Sequence, residues 1–225
     1  MSASVATVGR SPAGMEFPPR GVRVAVFDVV GTLVAPRPSV PEAYRAAAAR
    51  QGVCLDTPTI QQRFRDAWRA EELRDAAASP AYATSQVREI ARWRSIVEQV
   101  FGGGTVCDAI FAALWDHFAN PASWEPIAAG AGLFDAAVAA GVPIALASNF
   151  DERLNGLAAR LEPLRRADHV FTSAEIGWRK PAAEFFRTIE RRLDCRPDEL
   201  VLVGDDATLD LAAGRRAGWW VTGVG

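Results

Sequence analysis

The chain has 225 residues, 49% of them hydrophobic, and a formal net charge of −2. This length predicts one domain or a domain with a modest insertion, and the composition allows a sizeable buried core. The arginines are scattered among acidic residues, so the sequence lacks the basic stripe that binds nucleic acid. No apolar run reaches the ~18 residues of a membrane-spanning helix. We therefore expect neither a nucleic-acid partner nor a membrane partner.

The cysteines are odd in number and far apart, at Cys54, Cys107 and Cys195. This spacing favours neither a disulfide framework nor a zinc site, and it is typical of a reducing compartment. Residues 1–21 are rich in Ser, Gly and Pro and lack an apolar stretch of signal-peptide length. We expect a flexible N-terminal extension and a cytoplasmic protein.

The first predicted element is a buried strand within residues 22–29, an apolar, β-branched run that ends at the loop signal Gly31-Thr32. A Pro-rich segment follows at residues 36–41. From residue 42 to about residue 119, apolar residues recur at helical spacing and no convincing strand appears. We interpret this stretch as an insertion of about four helices.

Beyond the insertion, predicted strands alternate with predicted helices. The strands are 143–147, 169–172, 200–203 and 219–224, and the helices are 132–140, 151–161, 181–193 and 208–217. Such alternation predicts a parallel sheet covered on both faces. We expect an α/β fold, a Rossmann-like parallel sheet of about five strands with helices on both faces. Its core would comprise residues 22–36 and 122–225, and a helical cap domain would be inserted at residues 37–121.

Polar residues follow the ends of the first four predicted core strands, where open parallel sheets bind their ligands. They are Asp28, Ser148 with Asn149, Glu175 with Lys180, and Asp205 with Asp206. Two carboxylates from different strands, Asp28 and Asp205, can hold Mg²⁺, which prefers few protein ligands plus water. Lys180 would offset their charge and hold a phosphate oxygen. The sequence thus predicts a Mg²⁺-assisted site for a small phosphorylated molecule.

Four segments resemble the four motifs of the haloacid dehalogenase superfamily, in the family's order. They are FDVVGTL (27–33), ASNFD (147–151), EIGWRKP (175–181) and VGDDATLD (203–210). The resemblance extends over residues 22–225, and the helical insertion is similar to the family's cap. The segments SNFDERL and GWRKP are most similar to the group called haloacid dehalogenase-like hydrolase domain-containing protein 3.

The resemblance implies catalytic and substrate-binding roles. Asp28 would be the nucleophile that forms an aspartyl-phosphate, and Lys180 would orient it and stabilise the transition-state charge. The implied substrate-binding residues, besides Lys180, are Thr32, Ser148 and Asn149.

The resemblance also implies a set of Mg²⁺ ligands. Asp28 and Asp205 would bind the cation directly, and the backbone carbonyl of Val30 would be a further ligand. Asp206 or Asp210 would act through water or from the surrounding shell.

Val30 departs from the pattern of most phosphatases in this superfamily. They carry an aspartate at that position, which protonates the leaving alkoxide, and losing a general acid typically costs ~10²–10⁴-fold in rate. Three functions remain open. They are a phosphatase specialised for activated phosphates, a non-catalytic phosphate-binding homologue, and a metal-free 2-haloacid dehalogenase.

The insertion predicts a lid with hinges near residues 35–40 and 119–124 that excludes water during the reaction. Most tryptophans recur on helix stripes, and we assign Trp68, Trp93 and Trp115 to core or lid packing. Trp124 and Trp178 are candidates for the mouth of the pocket. The sequence does not identify the substrate, and it is compatible with a monomer or a homodimer.

Overall fold

The computed structural model describes residues 17–224, which form seven strands and nine α-helices. The strands are β1 Val24–Phe27, β2 Val34–Pro36, β3 Trp124–Pro126, β4 Ile144–Ser148, β5 His169–Thr172, β6 Leu200–Gly204 and β7 Trp220–Gly223. The helices are α1 Val40–Ala49, α2 Thr57–Ala77, α3 Gln86–Phe101, α4 Thr105–Ala119, α5 Ala128–Ala139, α6 Arg153–Ala158, α7 Ser173–Ile176, α8 Ala183–Leu193 and α9 Ala213–Ala217.

Five of the strands form a parallel sheet in the order β5-β4-β1-β6-β7. All four residues of β1 are buried, because helices cover both faces of the sheet. Alternation along β1 sends Ala25 and Phe27 into one core cluster and Val24 and Val26 into the other. The predicted α/β class and five-stranded parallel sheet are confirmed.

Chain order and sheet order together place the ligand-binding edge. From the central strand β1 the chain continues to β4 and β5 on one side, and it then returns to β6 and β7 on the other. This reversal opens a crevice at the carboxyl end of β1, between the loops that follow β4 and β6. Asp28 is the residue directly after β1.

The predicted helical insertion contains α1 to α4, which pack around an apolar core of their own. Its fully buried members include Tyr44, Ile60, Val97 and Ile110. Helix ends follow local signals: Asp56 accepts a hydrogen bond from the Thr59 amide at the start of α2. None of the helices in residues 17–224 combines the length and apolar character needed to cross a bilayer.

Two short strands at the base of the cap were not predicted. β2 and β3 pair antiparallel, with Val34 opposite Pro126 and Pro36 opposite Trp124. They lie where the sequence predicted two hinges, and the ladder joins the two connections between cap and core. Strands of three residues that contain proline carry no alternation that would reveal them.

Element ends differ from the predictions by a few residues, and one helix differs in kind. The predicted helix at 208–217 begins as a π-helical turn, Ala207–Ala212, before α9. Residues 1–16, most of the predicted extension at 1–21, and residue 225 lie outside the described residues. Phe17 packs on Phe27 with ring centroids 6.4 Å apart and so belongs to the core.

Candidate functional site

Asp28 lies buried at the crevice between the loops after β4 and β6. Its amide continues the strand ladder by donating to the carbonyl of Val203 at 2.9 Å. The side-chain oxygen Oδ1 accepts hydrogen bonds from Lys180 Nζ at 2.6 Å and Ser148 Oγ at 3.2 Å. Both bonds end on Oδ1, so Oδ2 remains available to other groups. The ends of β1 and β4 and the segment between α7 and α8 therefore converge on one carboxylate.

Lys180 is only 2% exposed, and its ammonium has three acceptors. Nζ lies 2.6 Å from Asp28 Oδ1, 2.6 Å from Asp210 Oδ1 and 3.2 Å from the carbonyl oxygen of Ala147. Burial by itself would lower the pKa of Lys180, but the two carboxylates outweigh it and raise the pKa above its ordinary value. Lys180 therefore acts as a fixed positive charge.

Burial has the opposite consequence for Asp28. Desolvation raises the pKa of Asp28 to about 6, against the lowering effect of Lys180, and the nearby Asp210 adds to the rise. A cation beside this carboxyl would favour its ionised form and lower the pKa. A further positive charge in the site would therefore stabilise the ionised form of Asp28.

Asn149 holds the Lys180 loop in place. Its side-chain amide donates to the carbonyl of Lys180 at 3.0 Å, and its Oδ1 accepts from the amide of Lys180 at 2.7 Å. This pair of bonds joins the loop after β4 to the lysine loop. The described contacts of Asn149 are thus positional, and its substrate-binding role stays a prediction.

Thr32 is fully buried and donates to Asp205 Oδ1 at 2.8 Å. Its hydroxyl therefore fixes a carboxylate, and substrate contact by Thr32 stays a prediction. Gly31 makes this approach possible, because a Cβ there would lie 2.4 Å from Asp205 Oδ2. The positive φ of Gly31, +91°, also favours glycine.

The π-helical turn after β6 brings Asp210 into the site. Asp210 Oδ2 accepts from the amide of Asp206 at 3.2 Å, and a Cβ at Gly204 would lie 2.5 Å from its carboxylate. The Asp206 side chain binds the backbone: its Oδ1 accepts from the amides of Thr208 and Leu209 and caps the turn. Asp206 is therefore not one of the clustered carboxylates, and its role as a metal ligand stays a prediction.

Three carboxylates fit a divalent cation. Asp28, Asp205 and Asp210 each contribute an oxygen to a group in which all distances are within 4.8 Å. Lys180 compensates one of their three charges, which leaves a local excess of negative charge. Carboxylate oxygens with an excess of negative charge are the kind of ligands that Mg²⁺ prefers. Val30 contributes a half-buried, non-ionisable side chain beside this cluster, and the role of its carbonyl stays a prediction.

A cavity of about 440 Å³ extends from Asp28 into the cap. Nine aromatic residues line it, and we call this volume the aromatic chamber. They are Tyr44, Phe64, Trp68, Trp93, Phe111, Trp115, Phe118, Trp124 and Phe150. The prediction that Trp124 lines the pocket is confirmed. We assigned Trp68, Trp93 and Trp115 to packing alone, but these residues also line the chamber.

Trp178 does not line the chamber, although the sequence made it a candidate. It packs against the core cluster that contains Phe185 and forms a bridge with Ala83. The error arises because proximity to Lys180 in the sequence does not define the direction of a side chain.

A second contact between cap and core consists of buried and half-buried charges, and we call it the ion network. Its members are Glu72, Asp75, Glu89, Arg92 and Arg179. Arg179 precedes Lys180 and donates to both oxygens of Glu89 at 2.7 Å. No local sequence pattern indicates the ion network, because only the docking of α2 and α3 against the lysine loop brings these residues together.

Known proteins were compared with this chain. A family model described as haloacid dehalogenase-like hydrolase matches residues 22–218. Haloacid dehalogenase-like hydrolase domain-containing protein 3 of Homo sapiens is 29% identical over 203 residues, which cover 88% of this chain and 79% of the relative. Ribulose-1,5-bisphosphate 5-phosphatase of Halopiger xanaduensis is 31% identical over 202 residues, which cover 86% and 80% respectively.

Solved structures share the fold. A HAD hydrolase from Bacillus subtilis, bound to magnesium, has a TM-score of 0.64 at 18% identity and covers 89% of this chain and 87% of its own. A defluorinating L-2-haloacid dehalogenase has a TM-score of 0.70 at 20% identity, with 89% and 80% covered. With a family model spanning most of its length and the same parallel-sheet fold, this chain belongs to the haloacid dehalogenase-like hydrolase family.

Proposed function

We propose that this hydrolase is a Mg²⁺-dependent phosphatase that acts on a small phosphorylated metabolite through Asp28. The observation that carries the proposal is the cluster of Asp28, Asp205 and Asp210, in which Asp28 and Asp210 also bind the ammonium of Lys180. A carboxylate can attack a phosphate dianion only where positive charge offsets their repulsion. Lys180 provides one such charge, and the excess of carboxylates favours a divalent cation as the other.

Each residue of the site has a task in this reaction. A carboxylate oxygen of Asp28 attacks phosphorus, and the bond between phosphorus and the leaving oxygen breaks with its electron pair on that oxygen. Ser148 and Lys180 lie within hydrogen-bond distance of Asp28 and would hold the phosphoryl group and its developing charge. Water then attacks phosphorus, which releases phosphate and restores the carboxylate.

The cation would be held by Asp28, Asp205 and Asp210. Mg²⁺ supplies Lewis-acid polarisation of phosphoryl oxygens and neutralises charge when it is bound. Thr32 fixes Asp205 for this role, and the π-helical turn fixes Asp210.

Val30 limits the leaving group. Its side chain cannot transfer a proton, so an alkoxide would have to leave unprotonated. Activated phosphates, whose leaving oxygen is stable as an anion, avoid this difficulty. A 2-haloacid dehalogenase would avoid it too, but it has no use for a cation site built from three carboxylates.

The test is hydrolysis of acetyl phosphate with Mg²⁺ and with EDTA, by the wild type, by Asp28→Asn and by the control Asp135→Asn at an exposed surface position. We expect turnover that requires Mg²⁺, disappears in Asp28→Asn and persists in the control. Release of chloride from 2-chloropropionate in EDTA would instead identify a dehalogenase. Binding of Mg²⁺ and vanadate without any turnover would identify a non-catalytic binding protein.

A further inference from the structure

We infer that the substrate is an aryl phosphate whose ring occupies the aromatic chamber. The inference rests on the proposed phosphatase function and adds the chemical class of the substrate. It depends on three observations: the rings that line the chamber, the state of the arginines that reach it, and the residue at position 30.

The walls of the chamber are continuous aromatic surfaces. Tyr44 contacts Phe64 with centroids 5.3 Å apart, and Trp68 lies 6.0 Å from Phe64 and 5.7 Å from Trp93. A second wall contains Phe111 and Trp115 at 5.5 Å, and a third contains Trp124 with neighbours Phe118 at 5.9 Å and Phe150 at 6.2 Å. A planar apolar body can stack on or meet the edges of these rings.

The volume suits such a body. About 440 Å³ lies within the range of ~300–1,000 Å³ that holds drug-sized ligands. Asp28, Ser148 and Lys180 line the same cavity. A phosphoryl group at these residues and one or two rings in the chamber therefore belong to a single ligand.

The two arginines of the chamber differ, and the buried one already has a carboxylate partner. Arg153 donates from Nε and Nη2 to the two oxygens of the buried Asp151 at 2.7 and 2.6 Å, and it stacks 3.6 Å above the ring of Trp115. Arg65 is exposed and donates to Gln62 at 2.8 Å. A second phosphate deep in the chamber would thus meet no buried arginine without a carboxylate partner, because Arg153 is paired and Arg65 lies at the exposed side, and the unpaired burial of charge is costly.

The polar groups on the ring walls are few: the Tyr44 hydroxyl and the indole N–H groups of the tryptophans. Burial raises the pKa of the Tyr44 phenol, so the hydroxyl stays neutral and can donate one hydrogen bond. A sugar has several hydroxyls, and most of them would lose water here without gaining a partner. The walls therefore favour an aromatic body over a polyhydroxylated one.

The residue at position 30 also favours an aryl phosphate, because Val30 cannot protonate the leaving group. When Asp28 forms its bond to phosphorus, the bond to the aryl oxygen breaks and the electron pair leaves on a phenolate. A phenol has a pKa of about 10, so its anion leaves without a general acid far more readily than an alkoxide. Water cleaves the aspartyl-phosphate in the next step and supplies the proton that converts the phenolate to the phenol.

The experiment compares kcat/KM for 1-naphthyl phosphate, phenyl phosphate, ribose 5-phosphate, ribulose 1,5-bisphosphate and acetyl phosphate in the presence of Mg²⁺. We expect kcat/KM for 1-naphthyl phosphate to be about tenfold higher than that for phenyl phosphate. It should exceed kcat/KM for either sugar phosphate by a larger factor. Acetyl phosphate is too small to reach the rings, so it reports the chemistry alone. Hydrolysis of acetyl phosphate with no preference for aryl esters would overturn the inference and leave the proposed function standing. No hydrolysis of any of the five compounds, acetyl phosphate included, would overturn both.

Two variants link the preference to the chamber. Trp93→Leu removes a ring from the wall, and we expect kcat/KM for 1-naphthyl phosphate to fall about tenfold and that for acetyl phosphate to fall much less. The control Trp220→Phe lies outside the chamber, on β7, and both rates should persist. Equal losses on both substrates in Trp93→Leu would contradict a role in ring binding.

A binding measurement removes the dependence on turnover. In Asp28→Asn, 1-naphthyl phosphate should quench tryptophan fluorescence at concentrations where phosphate alone does not. Trp93→Leu in that background should weaken this binding, and Trp220→Phe should not. If Trp93→Leu leaves this affinity unchanged, the naphthyl ring binds outside the aromatic chamber.

Discussion

The cap meets the core in two ways, and the contrast separates attachment from recognition. In the ion network, Arg179 is 2% exposed and Glu89 is 1% exposed, and their directional bonds hold the lysine loop against α3. In the aromatic chamber the same boundary is left open, lined by rings that impose few directional requirements. Charges at fixed positions specify one docked arrangement, whereas apolar walls accept a ligand by shape.

Trp68 lies between the two regions. Its ring lines the chamber, and the guanidinium of Arg92 lies 5.0 Å from the ring centroid. Backbone bonds from Thr84 to Gly177 and from Arg179 to Tyr82, both 2.9 Å, add to the attachment beside the ion network. The cap is therefore attached close to Lys180, and the volume above Asp28 remains for a substrate.

The largest stability effect should follow from breaking the ion network. Glu89→Gln leaves the buried Arg179 with weaker partners at 3.4 Å, Glu72 and Asp75, so we expect the free energy of unfolding to fall by about 3–5 kcal/mol. Urea denaturation measures this change. The control Glu98→Gln removes an exposed carboxylate from the same helix and should stay within about 0.5 kcal/mol of wild type. Similar losses in both variants would show that the ion network does not hold the cap.

The next effect concerns the catalytic end of the chamber. Val30→Asp supplies the missing proton donor, and we expect kcat for ribose 5-phosphate to rise about 10²-fold because an alkoxide can then leave protonated. Turnover of phenyl phosphate should change much less. Val30→Asn is the matched control, because asparagine has nearly the shape of aspartate but cannot transfer the proton. An equal rise with Asn would show that proton transfer is not responsible.

A smaller loss should follow when both partners of the main ion pair are replaced. Glu89→Leu combined with Arg179→Met removes one charge of each sign, and apolar replacement of a buried pair is often close to neutral. We expect the double variant to be more stable than Glu89→Gln by about 2 kcal/mol in the same denaturation measurement. A double variant less stable than Glu89→Gln would contradict the view that the unpaired Arg179 causes the loss.

The smallest stability effect should come from the chamber wall. Phe64→Leu keeps an apolar side chain at a half-buried position, so we expect the free energy of unfolding to fall by about 1 kcal/mol. Its KM for 1-naphthyl phosphate should rise while that for acetyl phosphate stays constant. A loss of stability comparable with that of Glu89→Gln would show that the chamber also carries the attachment.

The sheet could be predicted because its signals are local. Val24 to Phe27 form a short apolar, β-branched run, and the polar residues Asp28, Ser148 and Asp205 lie at or directly after the ends of three strands. A parallel sheet brings such strand ends to one edge whatever the loops do. Sequence reasoning could therefore name these residues together before any distance was known.

Other features depended on contacts between distant segments. Glu89 and Arg179 are 90 residues apart, and neither has a local pattern that indicates its partner. The resemblance predicts that Thr32 binds substrate and Asp206 binds metal, and both stay predictions; what only the structure shows is that Thr32 holds Asp205 and Asp206 caps a turn. The direction of a polar side chain depends on which acceptor lies closest after folding.

By itself, the sequence determined the α/β class, the order of the strands along the chain and the chemical groups at their ends, because alternation and turn residues act over a few positions. The tertiary structure decided which carboxylates cluster, which rings face the cavity and which charges attach the cap. These features depend on how α1 to α4 dock over the sheet. Residues far apart in the chain together determine which side chains are buried and which charges pair.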